Sequence, residues 1–194
     1  MTVKSKKKVI IFSGPSGSGK TTVVRHLLKK YSQLEFSISS TSRKKRIDEI
    51  DGKDYYFIEP EEFKRLVDSE EFIEYEEVYE GRFYGTLKKE AERIWNKGKI
   101  IVFDVDVKGG MRLKETYGNN ALSVFIMPTS LEVLRTRLIL RATESIEDIE
   151  KRALRTDIEL SYAKNFDIII LNDYLQTTLQ ETEAIVRNWI KNDG

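Results

Sequence analysis

The segment Gly14-Pro-Ser-Gly-Ser-Gly19-Lys20-Thr21 constrains this chain more than any other. It fits the spacing G-x-x-x-x-G-K-[ST], and its flanks give that spacing meaning. Before it, Val9-Ile-Ile-Phe12 is a continuous apolar run, as in a strand buried on both faces. After it, Val23, Val24, Leu27, Leu28 and Tyr31 recur at helical spacing. Glycines let such a loop curl so that several backbone N–H groups face one anion. The following helix adds the positive end of its dipole. Gly14, Pro15, Ser16, Gly17, Ser18, Gly19, Lys20, Thr21 and Thr22 therefore read as a phosphate cradle for ATP. Lys20 is the side chain to reach the terminal phosphates, and the Thr21 hydroxyl is the Mg²⁺ ligand.

The rest of the chain continues the strand–helix alternation. Lys99–Asp104, Leu122–Met127 and Phe166–Leu171 are three more apolar runs, and a polar helix is predicted near 108–117. A last helix carries Leu175, Leu179, Ile185, Val186, Trp189 and Ile190 on a rough stripe. This rhythm predicts an α/β fold with a parallel sheet and right-handed crossovers. It breaks over residues 34–86, which are rich in Tyr, Phe, Ser and Glu. There we expect a β-rich insert, with a hairpin turn at Asp51-Gly52 and a helix over 60–69. An Arg-rich segment near 137–148 is a second irregular region. The division predicted is a basic tail at 1–7, a core of 8–33 and 87–194, and the insert at 34–86.

Composition narrows the chemistry. The 194 residues are 40% hydrophobic and 34% charged, which suits one globular core with a soluble surface. Lys+Arg 33 against Asp+Glu 32 leaves a formal charge of +1, so nothing global favours nucleic acid or an anionic membrane. No apolar run approaches the roughly 18 residues of a membrane helix. The run after the Lys-rich start, Val9–Phe12, is also too short for a secretory leader, so a cytoplasmic location is expected. With no cysteine there is no disulfide, thiolate metal site or thiol nucleophile. The single histidine, His26, sits beside Arg25 on a helix and reads as a solvated surface residue.

No nucleophile–base constellation stands out. A phosphate acceptor would explain this, because its oxygen is already ionised near neutral pH and needs no base. It needs relief from repulsion between two phosphate groups, which arginines and Mg²⁺ supply. Asp104 ends an apolar strand, a Walker-B-like placement near Mg²⁺ or the acceptor, and Asp106 lies on the same face two residues on.

The insert carries a resemblance. Phe36-Ser-Ile-Ser39-Ser-Thr-Ser-Arg43-x-x-Arg46, Asp51-Gly-Lys-Asp-Tyr55-Tyr-Phe57, Glu71-Phe-Ile-Glu74 and Phe83-Tyr84-Gly85-Thr86 closely resemble the guanylate kinases. Asp104-Val-Asp106-x-x-Gly109, Phe125-Ile-Met-Pro128 and Asn172-Asp173 continue the match over roughly residues 8–190. The resemblance implies phosphorylation of GMP, and of dGMP, to the diphosphate with MgATP. It implies a P-loop fold with a five-stranded parallel core, a GMP-binding insert and a lid at about 137–150.

By the same resemblance, Arg43, Arg46, Tyr55 and Tyr84 hold the GMP phosphate, and Asp104 and Asp106 border the GMP site. Glu74 reads guanine, since a carboxylate accepts from N1–H and N2–H₂ together while adenine offers neither. Ser39 and Thr86 meet guanine O6. Arg137, Arg141 and Arg152 close on the ATP phosphates, and Asn172 contacts adenine. Lys20, Arg43, Asp104 and the three lid arginines form the implied catalytic set.

This chain departs from the family at three places. It reads Arg-Lys-Lys-Arg-Ile-Asp-Glu over 43–49, where the family has Pro and Gly. It has Leu140-Arg141-Ala142 for Gly-Arg-Gly, and Lys108 for a common Gln. Two other functions remain open at this point: a non-catalytic protein-binding module of the same fold, and a P-loop kinase for another phosphorylated acceptor. Oligomeric state is open between monomer and homodimer.

Overall fold

The computed structural model describes residues 7–130, 132, 134 and 156–191. Five strands, β1 (Val9–Ser13), β2 (Leu34–Phe36), β7 (Ile100–Asp104), β8 (Ala121–Pro128) and β9 (Ile168–Asn172), form one sheet in the order β2-β7-β1-β8-β9. Every neighbouring pair is parallel. The central strand β1 is buried along its whole length, and its alternate side chains supply two cores. Ile10 and Phe12 face Val23, Val24 and Leu27 of α1 (Lys20–Lys30) and Val186 of α5 (Leu175–Lys191). Val9 and Ile11 face Ala91 and Ile94 of α3 (Lys88–Trp95) and Leu113 of α4 (Val107–Tyr117). A strand sandwiched this way has no polar face to alternate, which is why Val9–Phe12 reads as an unbroken apolar run.

The second sheet has four strands, β3 (Ser40–Thr41), β4 (Tyr56–Phe57), β5 (Phe72–Tyr79) and β6 (Arg82–Leu87), in the order β4-β3-β6-β5. It has a small core of its own, where Phe63 of α2 (Pro60–Asp68) stacks on Phe72 at 4.5 Å beside Leu87.

Three expectations are corrected here. Leu34–Phe36 belongs to the core sheet rather than to the insert: β2 pairs with β7, with Leu34 buried at the edge. Three residues with Glu35 at the centre give no apolar run by which to recognise a core strand. Asp51-Gly52 is a turn, with Gly52 N–H donating to the Tyr55 carbonyl, but not a hairpin, because β3 and β4 run parallel. The hairpin lies between β5 and β6 around Gly81, whose φ of 69° suits a residue without Cβ. His26 is not simply solvated: its Nε2 lies 2.5 Å from Glu183, which also takes Lys30, tying α1 to α5.

The lid at 137–150, with Arg137 and Arg141, and Arg152 beyond it lie outside the described residues. Of the basic tail only Lys7 is described, its ammonium 4.8 Å from the Trp95 ring centroid. Among the described residues no helix is long and apolar enough to cross a membrane.

Candidate active site

The phosphate loop leaves β1 at Ser13 and enters α1 at Lys20. Two of its glycines are required by space as well as by backbone. A Cβ on Gly14 would stand 2.5 Å from the Ile126 carbonyl oxygen of β8, at φ 139°. A Cβ on Gly19 would stand 2.2 Å from Asn172 Nδ2, at φ 99°. Lys20 folds back over the loop and donates to the carbonyls of Gly14 (2.8 Å) and Pro15 (3.0 Å), while Ser18 N–H closes a turn onto Pro15. Thr22 N–H bonds the Gly19 carbonyl and starts the helix.

Thr21 Oγ1 donates to Asp104 Oδ2 at 2.7 Å. The loop hydroxyl and the carboxylate at the end of β7, 83 residues apart, therefore share one spot beside the lysine. Both are hard oxygen donors, the class Mg²⁺ prefers. No group of three or more acidic or imidazole side chains among the described residues could cage a metal alone. A two-donor site completed by phosphate oxygens and water is the arrangement Mg²⁺ takes in nucleotide enzymes, so the residues fit the ion.

Asn172 comes to this loop bonded at both ends of its amide. It is 3% exposed, its Nδ2 donates to the Ser18 carbonyl at 2.7 Å, and its Oδ1 accepts from Thr178 at 3.0 Å. One bond at each end braces the loop, and the second N–H of Nδ2 is left for a further acceptor, as the adenine contact implied by resemblance would need.

Across from the loop, Arg43 follows β3 and is held on three sides. Its Nε donates to Tyr84 Oη at 3.2 Å, and its guanidinium lies 5.0 Å from the Tyr55 ring centroid. Glu49 takes the two terminal nitrogens at 2.7 and 2.5 Å, and also accepts from Arg46 N–H at 2.8 Å. The Glu49 bridge raises the Arg43 pKa, and Arg43 in turn holds Glu49 below the usual carboxylate range. Glu49 was not among the residues expected at this site. The only sequence signal was an acidic residue closing the run from Arg43 to Arg46. Burial pushes the Tyr55 hydroxyl up to about 12, further from ionisation than a free tyrosine.

Glu74 on β5 and Thr86 on β6 face each other in register, and Thr86 Oγ1 donates to Glu74 Oε1 at 2.8 Å. Glu74 is 6% exposed, and burial pushes its carboxyl up from 4.5 to about 7, with the charge of Asp106 adding to the rise. Its other oxygen points at α4, where a Cβ on Gly109 would stand 2.9 Å from Oε2. Asp106 caps α4, accepting from Gly109 N–H at 2.9 Å. Ser39 precedes β3, and its carbonyl accepts from Tyr56 N–H. The structure thus groups Arg43, Tyr55 and Tyr84 in one cluster and Glu74, Thr86 and Asp106 in another.

The family model described as guanylate kinase matches residues 6–189. The guanylate kinase of Bacteroides thetaiotaomicron is 46% identical over 186 residues, covering 96% of this chain and 91% of that protein. The guanylate kinase of Porphyromonas gingivalis is 47% identical, covering 94% of this chain and 98% of its own length. Among solved structures, the guanylate kinase of Anaplasma phagocytophilum superposes with a TM-score of 0.78 at 31% identity, covering 97% of this chain and 89% of that one. With a strand–loop–helix phosphate cradle, its Asp104 partner and matches that run nearly end to end, this chain belongs to the guanylate kinase family.

Proposed function

We infer that the chain transfers the γ-phosphoryl group of MgATP to GMP, giving ADP and GDP, and does the same with dGMP. The observation that carries this is the buried Glu74–Thr86 pair facing the N-terminal turn of α4, in a chain whose phosphate loop is intact. A buried carboxylate is costly unless a ligand or neighbour donates to it. Guanine offers two donors on one edge, N1–H and N2–H₂. Adenine presents an acceptor there, and uracil and cytosine lack the amide–amine pair.

An oxygen of the GMP phosphate attacks Pγ, a new P–O bond forms, and the bond from Pγ to the ADP oxygen breaks. Lys20 sits at the loop, where charge gathers on the transferred group. Arg43, with Arg46, Tyr55 and Tyr84, binds the acceptor phosphate and offsets its repulsion toward ATP. Ser39 and Thr86 orient the base. Thr21 and Asp104 would hold Mg²⁺, which would supply neutralisation of charge on the ATP phosphates.

In this reading Arg137, Arg141 and Arg152 act from a lid over the ATP phosphates, and residues 37–86 form the GMP-binding unit. Bacterial relatives and ATP as a substrate support a cytoplasmic location.

The test is a coupled ADP-release assay with MgATP against GMP, AMP, UMP and CMP. GMP is expected to exceed each other acceptor by at least about a hundredfold in kcat/KM. Equal use of AMP would remove Glu74 from the reading, and no ADP release with any acceptor would favour a binding module.

A further inference from the structure

Glu90 is a buried acid that the transfer chemistry does not use. It lies in the first turn of α3 and is 2% exposed. Its Oε1 accepts from Ile38 N–H (2.9 Å) and Arg93 Nη2 (2.8 Å), and its Oε2 from Tyr56 Oη (3.2 Å) and Arg93 Nε (2.8 Å). Arg93 continues to Glu35 on β2, which also takes Lys97 at 2.7 Å and Lys99 at 3.2 Å. Burial alone would raise Glu35, but these three cations outweigh it and hold the carboxyl at about 2.

The partners of Glu90 come from distinct parts of the fold. The chain leaves the core sheet for the insert at residues 37–39 and returns at Leu87–Lys88. Ile38 lies in the outgoing crossing, and Glu90 follows the returning one. Tyr56 belongs to β4, at the far edge of the insert sheet, and Glu35 to the edge strand of the core. One carboxylate therefore fastens both crossings and the insert to the core edge.

A second tie joins the insert to α4 of the core. Glu76 on β5 pairs with Lys108 (2.9 Å) and Arg112 (3.0 Å) on α4, whose side chains are half exposed. Glu76 is itself buried, and Arg112 also donates to the Tyr75 carbonyl, so this tie joins β5 to α4 on the opposite side of the insert from Glu90.

We propose that Glu90 is a positioning residue for the transfer, the pivot that sets where the insert, and with it Arg43, Glu74 and Thr86, stands relative to Lys20. This rests on the guanylate kinase reading, and its test has a readout that does not. The chain has no cysteine, so spin labels on Lys29→Cys of α1 and Lys64→Cys of α2 report the core-to-insert distance without interference.

Glu90→Gln is expected to broaden that distance distribution, to raise KM for GMP about tenfold and lower kcat, and to leave KM for MgATP unchanged. Tyr56→Phe removes only the insert's bond and is expected to do the same at about threefold. It decides the matter alone if Glu90→Gln does not fold. An unchanged distance distribution with only a lower Tm overturns the proposal, as does a broadened one with GMP kinetics intact or an equal change in both KM values. Failure of the kinase reading would show separately, as wild-type protein that releases no ADP with GMP while the distances still report on Glu90.

Discussion

In the phosphate loop, nine consecutive residues between β1 and the first turn of α1 bring backbone and one lysine to the anion. In the insert, the groups that would meet GMP are side chains from β3, β5, β6 and the segments between them, with Arg43, Glu74 and Thr86 already engaged with neighbours. Arg43 sits on Glu49, and Glu74 sits under Thr86. The first site depends on local backbone shape, and side-chain charge adds one lysine to it. The second depends on tertiary placement and holds a buried acid, so its affinity is tied to protonation and packing. Mutations should therefore split: changes in the loop strike the donor, changes in the insert strike the acceptor.

The largest break in that comparison is Lys20→Met. Among the described residues the side chain bonds only to loop carbonyls, so the fold should persist while kcat falls about a thousandfold. Single-turnover rates on protein with a wild-type circular dichroism spectrum check this, and retention of most activity would take the lysine out of the mechanism.

Next is Glu74→Gln, expected to lower kcat/KM for GMP about a hundredfold and to leave KM for MgATP within about twofold. The same change should stabilise the protein at high pH. The folded carboxyl lies at about 7, above its ordinary 4.5, so the native state holds the proton more tightly than the unfolded chain. Its contribution to stability is complete below 4.5 and is lost as pH rises to about 7. At pH 8 the neutral glutamine removes a cost on the order of 3 kcal/mol, and the advantage should vanish near pH 4. Denaturant titrations at the two pH values measure it. In the wild type, KM for GMP should rise as pH falls from 8 to 6, because guanine's donors need the ionised acid; a flat profile would contradict the assignment.

Gly109→Ala sharpens the comparison from the core side. Its Cβ would meet Glu74 Oε2 at 2.9 Å, so KM for GMP should rise about tenfold with MgATP binding unaffected. Asn172→Ala is the smallest and the converse: it strips the Ser18 carbonyl of its donor and should raise KM for MgATP about threefold and leave GMP alone. Isothermal titrations with each nucleotide would separate the two.

Much of this was legible along the chain, for reasons that differ by region. The loop at 14–21 and the runs at Val9–Phe12 and Leu122–Met127 announce themselves because a strand buried on both faces must be apolar throughout, and a phosphate turn needs its glycines in order. Family likeness drew attention to Arg43, Tyr84, Glu74 and Thr86, but the spacing of those residues says nothing of how they meet. β2, Leu34–Phe36, is not legible as a core strand because its apolar content is two residues around an acid that belongs to the Arg93 cluster.

By itself, the sequence determined the α/β class, the phosphate loop with Lys20 and Thr21, and the family, since each rests on contiguous pattern. Tertiary structure alone decided that Asp104 meets Thr21 across 83 residues, that Glu49 occupies Arg43, and that Asn172 braces the loop. It also decided that Glu90 gathers both crossings of the insert. Those pairings join residues whose separation along the chain carries no periodic signal, and burial, which sets their charge state and strength, exists only once the sheets have packed.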